Sequence, residues 1–70
     1  MDIKQLREQV GMSRIALAGA AGISRFRLYE SEKGLRQLSA EEIDACRKVL
    51  VGELARFVRM AGEYRERVSA

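Results

Sequence analysis

Seventy residues, 47% of them apolar, suit one small folded domain and argue against a disordered chain. A single cysteine, Cys46, and no histidine exclude an internal disulfide and an ordinary metal site. The net charge of +3 is unevenly placed: residues 1–38 carry seven basic and four acidic side chains, residues 39–70 six of each. That basic excess fits a polyanion-binding face, and it fits equally a solvated surface with no partner. The absence of proline and of long β-branched runs predicts an all-helical chain. A core this small is marginal alone, so stability must come from well-capped helices or a second subunit.

The opening stretch, MDIKQLREQ, mixes charged and apolar residues. It lacks the unbroken apolar run of a signal peptide or membrane span, so a cytoplasmic protein is expected. Asp2 and Gln5 have the spacing of a capping box. Ile3, Leu6 and Val10 recur on one helical face, and Gly11 is a left-handed stop. Together they predict a helix over about residues 3–10.

Ser13 caps the next helix, and Met12 and Leu17 have the spacing of a hydrophobic staple. In RIALAGAA, Leu17, Ala18 and Ala21 face inward, while Ile15 is partly exposed. Gly22 ends this helix, because so tight a bend needs a positive φ, and Ile23 plugs the bend into the core. Ser24 caps a third helix, RFRLYESEK, which Gly34 closes. Two short capped helices around a Gly-Ile-Ser turn are what a helix-turn-helix requires.

Residues 35–38 read as a loop, with Leu35 and Leu38 folded back over the core. Ser39 then opens a last helix, with Glu42 completing a second capping box. Gly52 and Gly62 each cost it about 1 kcal/mol relative to alanine, which leaves a kink or break near Gly52 open. Ile43, Leu50, Phe57 and Tyr64 recur every seven residues, and Leu54, Ala61 and Val68 form a second row. Ile43, Cys46, Val49 and Leu50 have a compact unit to pack on, with Cys46 as a small core residue. Beyond Gly52 no such cover exists, and a symmetric partner is the economical answer. The expected dimer interface is therefore Leu50, Leu54, Phe57, Val58, Ala61, Tyr64 and Val68. Residues 1–52 form the helix-turn-helix unit, and 53–70 a helical dimerisation extension of the same compact domain.

The order Leu6-Arg7, Gly11-Met12-Ser13, Leu17-Ala18, Ala21-Gly22-Ile23-Ser24, Leu28, Glu32-Lys33-Gly34, Leu38-Ser39, Glu41-Glu42-Ile43 resembles the Cro/C1-type (xenobiotic-response-element) helix-turn-helix family. No single element is specific, but the whole order is, and it covers about residues 3–52 without a gap. The resemblance implies an all-α, lambda-repressor-like bundle of four to five helices, here with a long C-terminal helix for dimerisation. Small proteins of this type are often repressors encoded by phages or other mobile elements, and many act on their own operon. Three features depart from the family pattern. Arg14 stands where a phosphate-touching glutamine is usual, and Ser31 where an apolar residue plugs the third helix into the core. Phe26 and Tyr29 are bulkier than the small polar residues common at their positions.

The family's third helix enters the major groove by its N-terminal part. With Leu28 inward, Arg25, Phe26, Tyr29 and Glu30 turn outward as base readers. Arg25 suits guanine O6 and N7, and Phe26 suits a thymine methyl. Glu30 suits a cytosine amine, or it orients an arginine. Ser13 and Arg14, at the tip of the second helix, suit a phosphate. Ser24, Arg27, Lys33, Arg36 and Gln37 suit the flanking backbone. Plainer roles stand beside these. Arg25 and Arg27 can be solvated or can pair with Glu30 and Glu32. Phe26 and Tyr29 can rest on the protein, and Glu32 suits a structural bond to backbone or an arginine.

No catalytic set, cofactor site or metal site is expected: there is no histidine, no paired carboxylate in a pocket and no activated nucleophile. The glycines of AGAAG, residues 18–22, follow no strand and begin no phosphate loop. The reading is a homodimeric, sequence-specific regulator of transcription, most simply a repressor, on double-stranded DNA with an inverted repeat. Its alternative is a protein-interaction module, such as an antitoxin or polymerase-binding adaptor, that uses the C-terminal apolar helix.

Overall fold

Four helices follow one another in a computed structural model that describes residues 2–69, with side chains through residue 65. They are α1 (Ile3–Val10), α2 (Arg14–Ala21), α3 (Arg25–Glu32) and α4 (Ala40–Ser69). Among the described residues there is no strand, in agreement with the all-helical expectation. None of these helices is long and apolar enough to cross a membrane.

Local chemistry sets every helix start. Asp2 Oδ1 accepts from the Gln5 N–H at 2.8 Å, and Gln5 Oε1 accepts from the Asp2 N–H at 3.0 Å. Ser13 Oγ accepts from the Ala16 N–H at 3.1 Å, and Ser24 Oγ from the N–H groups of Phe26 and Arg27. Ser39 and Glu42 exchange the same reciprocal pair at the start of α4. The bend between α2 and α3 stands at φ +72° on Gly22, and the Ile23 N–H donates back to the Ala18 carbonyl at 3.0 Å. That geometry belongs to the left-handed region, where a side chain is strained.

The core is small. Leu17 and Ala18 of α2, Leu28 of α3, and Cys46 and Leu50 of α4 are fully buried. Ile3, Leu6, Val10, Met12, Ala21, Ile23, Leu38 and Val49 pack around them. Burial pushes the Cys46 thiol pKa up, which makes it an inert core residue. Leu50 therefore belongs to the monomer core and not to the expected dimer seam. Residues 43 to 50 still have α1 and α2 to pack on, and the heptad count alone cannot mark where that cover ends.

Leu35 also departs from expectation. It is 73% exposed, while Leu38 packs on the core. The stretch between α3 and α4 is not helical and bends at Leu35, so helical spacing does not put the two leucines on one side. Helix α4 runs without a break through Gly52. An isolated glycine lowers helix propensity but removes no backbone bond. At 1.5 Å per residue the segment after Gly52 projects about 25 Å past the core, which accounts for the 51 Å long dimension against 19 Å and 18 Å across.

Helix α1 packs on α4, and α2 packs on both α3 and α4. A side-chain bridge ties α1 to α3. Arg7 Nε and Nη2 donate to the two Glu32 carboxylate oxygens at 2.7 and 2.9 Å, and Nη1 donates to the Met12 carbonyl at 2.9 Å. The side chains are 13% and 3% exposed. Glu32 is thus structural, as its place near the end of α3 suggested. Removing one partner of a buried, hydrogen-bonded pair strands the other charge. Glu32→Ala is expected to lower the unfolding free energy by about 3 kcal/mol. Urea denaturation measures this, and an unchanged midpoint would mean that the bridge contributes little.

Candidate nucleic-acid interface

The rotation of α3 is set by one side chain. Leu28 is fully buried, so Arg25, Phe26 and Tyr29 are turned outward. Ser31, polar at an inward position, is satisfied without moving the helix: its Oγ donates to the Leu28 carbonyl at 2.9 Å. The departure at Ser31 therefore leaves Arg25, Phe26 and Tyr29 outward, while Glu30, expected beside them, is half-buried.

Cations and rings alternate on this face. The Arg25 guanidinium carbon lies 5.1 Å from the centroid of the Phe26 ring. Arg14, from the tip of α2, and Lys33, after the end of α3, lie 4.9 and 5.5 Å from the centroid of the Tyr29 ring. Such pairs favour the cation over the ring face by about 0.5–1 kcal/mol at exposed sites. Phe26 and Tyr29 thus hold cations at the surface instead of covering the core. Arg14, Ile15, Arg25, Phe26 and Tyr29 line a shallow cleft of about 340 Å³. Ile15 was not among the expected site residues. Its position off the inward row of α2 marked it as exposed, but the sequence alone did not place it beside α3.

The remaining expected contacts divide. Ser13 and Ser24 use their hydroxyl oxygens as helix caps, each accepting from N–H groups in the first turn of its own helix. Lys33 and Gln37 are exposed. Glu30 is half-buried and stands 3.5 Å from Arg36 Nε, so each offsets the other's charge. Arg14 Nη1 stands 3.7 Å from Glu32, but its side chain stays 41% exposed.

Arg27 requires a correction. Its Nε and Nη2 donate to the Glu42 carboxylate at 2.7 and 2.6 Å, which makes it a strut between α3 and α4 and not a free phosphate ligand. Glu42 is fixed in the first turn of α4 by its cap with Ser39, directly within reach. The Arg27 guanidinium, helped by the Ser39 backbone N–H, lowers the Glu42 carboxyl pKa to about 2.

A second surface lies on α4. The row that buries Cys46 and Leu50 continues, in steps of four and three residues, through Leu54, Phe57, Ala61 and Tyr64. Leu54, Phe57, Val58 and Tyr64 are exposed, as are Val51 and Met60, which lie outside the two heptad rows. The side chain of Val68 lies outside the described residues. Gln9 and Val10 of α1 form a groove with Leu54, Phe57 and Met60 at the start of this stripe.

Compared with known families, residues 3–50 match the model described as Helix-turn-helix. No match is found among curated proteins or among solved structures.

The Arg27–Glu42 pair makes stability depend on pH. A carboxyl whose folded pKa lies below its unfolded value adds stability above the unfolded value. That contribution is lost as pH falls from about 4.5 towards 2. In thermal melts across this range, wild type is expected to lose more stability than Glu42→Gln, while the two respond alike at higher pH.

Proposed function

The chain belongs to the Cro/C1-type helix-turn-helix family of DNA-binding regulators, and from that premise we propose that it is a homodimeric transcriptional repressor. Helix α3 lies in the major groove, where Arg25, Phe26 and Tyr29 meet base edges. The tip of α2, with Ser13 and Arg14, holds a phosphate on one side, and Lys33, Arg36 and Gln37 hold the backbone on the other. Residues 53–70 are the dimerisation extension. Two copies joined there present two α3 helices to successive major grooves about 34 Å apart, so the operator is an inverted repeat. The chain's own upstream region is the first operator to test, since small repressors of this type often act on their own operon.

The observation that carries this reading is the apolar stripe of Leu54, Phe57, Val58, Ala61 and Tyr64, exposed on a helix that projects beyond the core. A monomer would leave it in water, whereas the same stripe on a second copy covers it symmetrically. The stripe also favours a second reading, in which a different protein, such as a toxin or a polymerase subunit, takes the place of the second copy. Salt separates the two cheaply: phosphate contacts make affinity fall steeply with salt, and an apolar protein interface changes little.

Selection from a random duplex library and gel shifts test the DNA contacts. Arg25→Ala is expected to lose discrimination at one base pair per half-site, by about 1–3 kcal/mol. Arg14→Ala is expected to weaken all duplexes alike and to lower the salt slope by about one. Unchanged specificity in Arg25→Ala would refute the base-reading role. Sedimentation should show a dimer for the full chain and a monomer for a chain ending at Gly52, which keeps every fully buried residue. A monomeric full chain would remove the seam.

A further inference from the structure

The cation-rich face around α3 carries more apolar surface than phosphate binding needs. Ile15, Phe26 and Tyr29 are 66%, 65% and 44% exposed, and all three wall the cleft shared with Arg14 and Arg25. In the major groove the apolar group on a base edge is the C5-methyl of thymine, and 5-methylcytosine carries the same methyl at the same atom. An apolar cleft ringed by cations matches such a methyl inside a polyanion.

Arg25 and Phe26 are coupled, because the guanidinium rests over the Phe26 ring. A guanidinium bonded to guanine O6 and N7 lies close to the plane of that base. A ring stacked on the guanidinium then sits at the level of the adjacent base pair, against its groove edge. We propose that Arg25 and Phe26 read a single dinucleotide step, a guanine beside a C5-methylated pyrimidine, so that cytosine-5 methylation at that step strengthens binding. Arg25 takes the guanine, and the neighbouring methyl enters the cleft between Phe26 and Ile15. This inference rests on the reading of α3 as the base-reading helix.

The test uses the full chain and the site recovered from a random duplex library. At each pyrimidine beside an Arg25-dependent guanine, synthetic duplexes compare thymine with deoxyuracil and 5-methylcytosine with cytosine. Burying one methyl group corresponds to about a fourfold gain in affinity, expected for both comparisons. Phe26→Ala should erase that gain whatever its effect on overall affinity, so that thymine then binds as deoxyuracil does and 5-methylcytosine as cytosine. Equal binding of thymine and deoxyuracil duplexes, at a site that still requires the guanine, overturns the step and leaves the proposed repressor standing. A methyl effect that survives Phe26→Ala also overturns it. A library that yields no preferred site overturns both readings.

Discussion

The arrangement of α1 against α3 depends on the part-buried pair of Arg7 and Glu32. Among the described residues five are fully buried, and they come from α2, α3 and α4. Helix α1 contributes half-buried apolar residues and reaches α3 through this one guanidinium. The same guanidinium accounts for the Met12 carbonyl, just before α2 begins. One side chain therefore ties α1, the entry to α2 and the end of α3 together. A buried ion pair is weak evidence for net stability, because desolvation offsets much of its attraction. Its value here is geometric. The bidentate fork accepts one arrangement, and it fixes where α3 ends relative to α1.

That constraint, with Leu28, decides which side chains of α3 are free. Glu32 is used on Arg7, Arg27 on Glu42, and Glu30 stands beside Arg36. These pairs engage three of the four charged residues of α3, Arg27, Glu30 and Glu32, within the protein. What remains is Arg25 with Phe26, and Tyr29 with its two cations, Arg14 and the exposed Lys33. The internal pairs thus sharpen the surface, since each acid is matched within the protein and the unmatched charge is positive. A base-reading helix needs this separation: struts must hold it rigid without occupying the groups that meet the nucleic acid.

Helix α4 serves two environments with one periodicity. Up to Leu50 its apolar row is covered by α1 and α2, and beyond it the same row runs into solvent. No change of pattern marks the crossing, because a helix keeps its 3.6-residue period whatever lies opposite. The monomer alone gives no reason for an apolar row to continue past the last covered residue.

Much of the fold was legible because it rests on contacts between near neighbours in the chain. The caps at Asp2, Ser13, Ser24 and Ser39 link residues two or three apart, and the bend at Gly22 needs only one permissive residue. The outward set on α3 followed from a single inward leucine and the helical repeat. The partners of the charges were not legible. Arg7 and Glu32 are 25 residues apart and Arg27 and Glu42 are 15 apart, and helical spacing had suggested other pairings within α3. Ile15 joined the site, and Leu50 and Leu35 changed sides, for the same reason. By itself the sequence determined the all-helical class, where each helix starts, and the outward turn of Arg25, Phe26 and Tyr29, because these obey short-range rules of backbone bonding and periodicity. Only the tertiary structure decided which charges are struts and which are free, and where the cover over α4 stops, because those depend on distances between helices that local spacing does not encode.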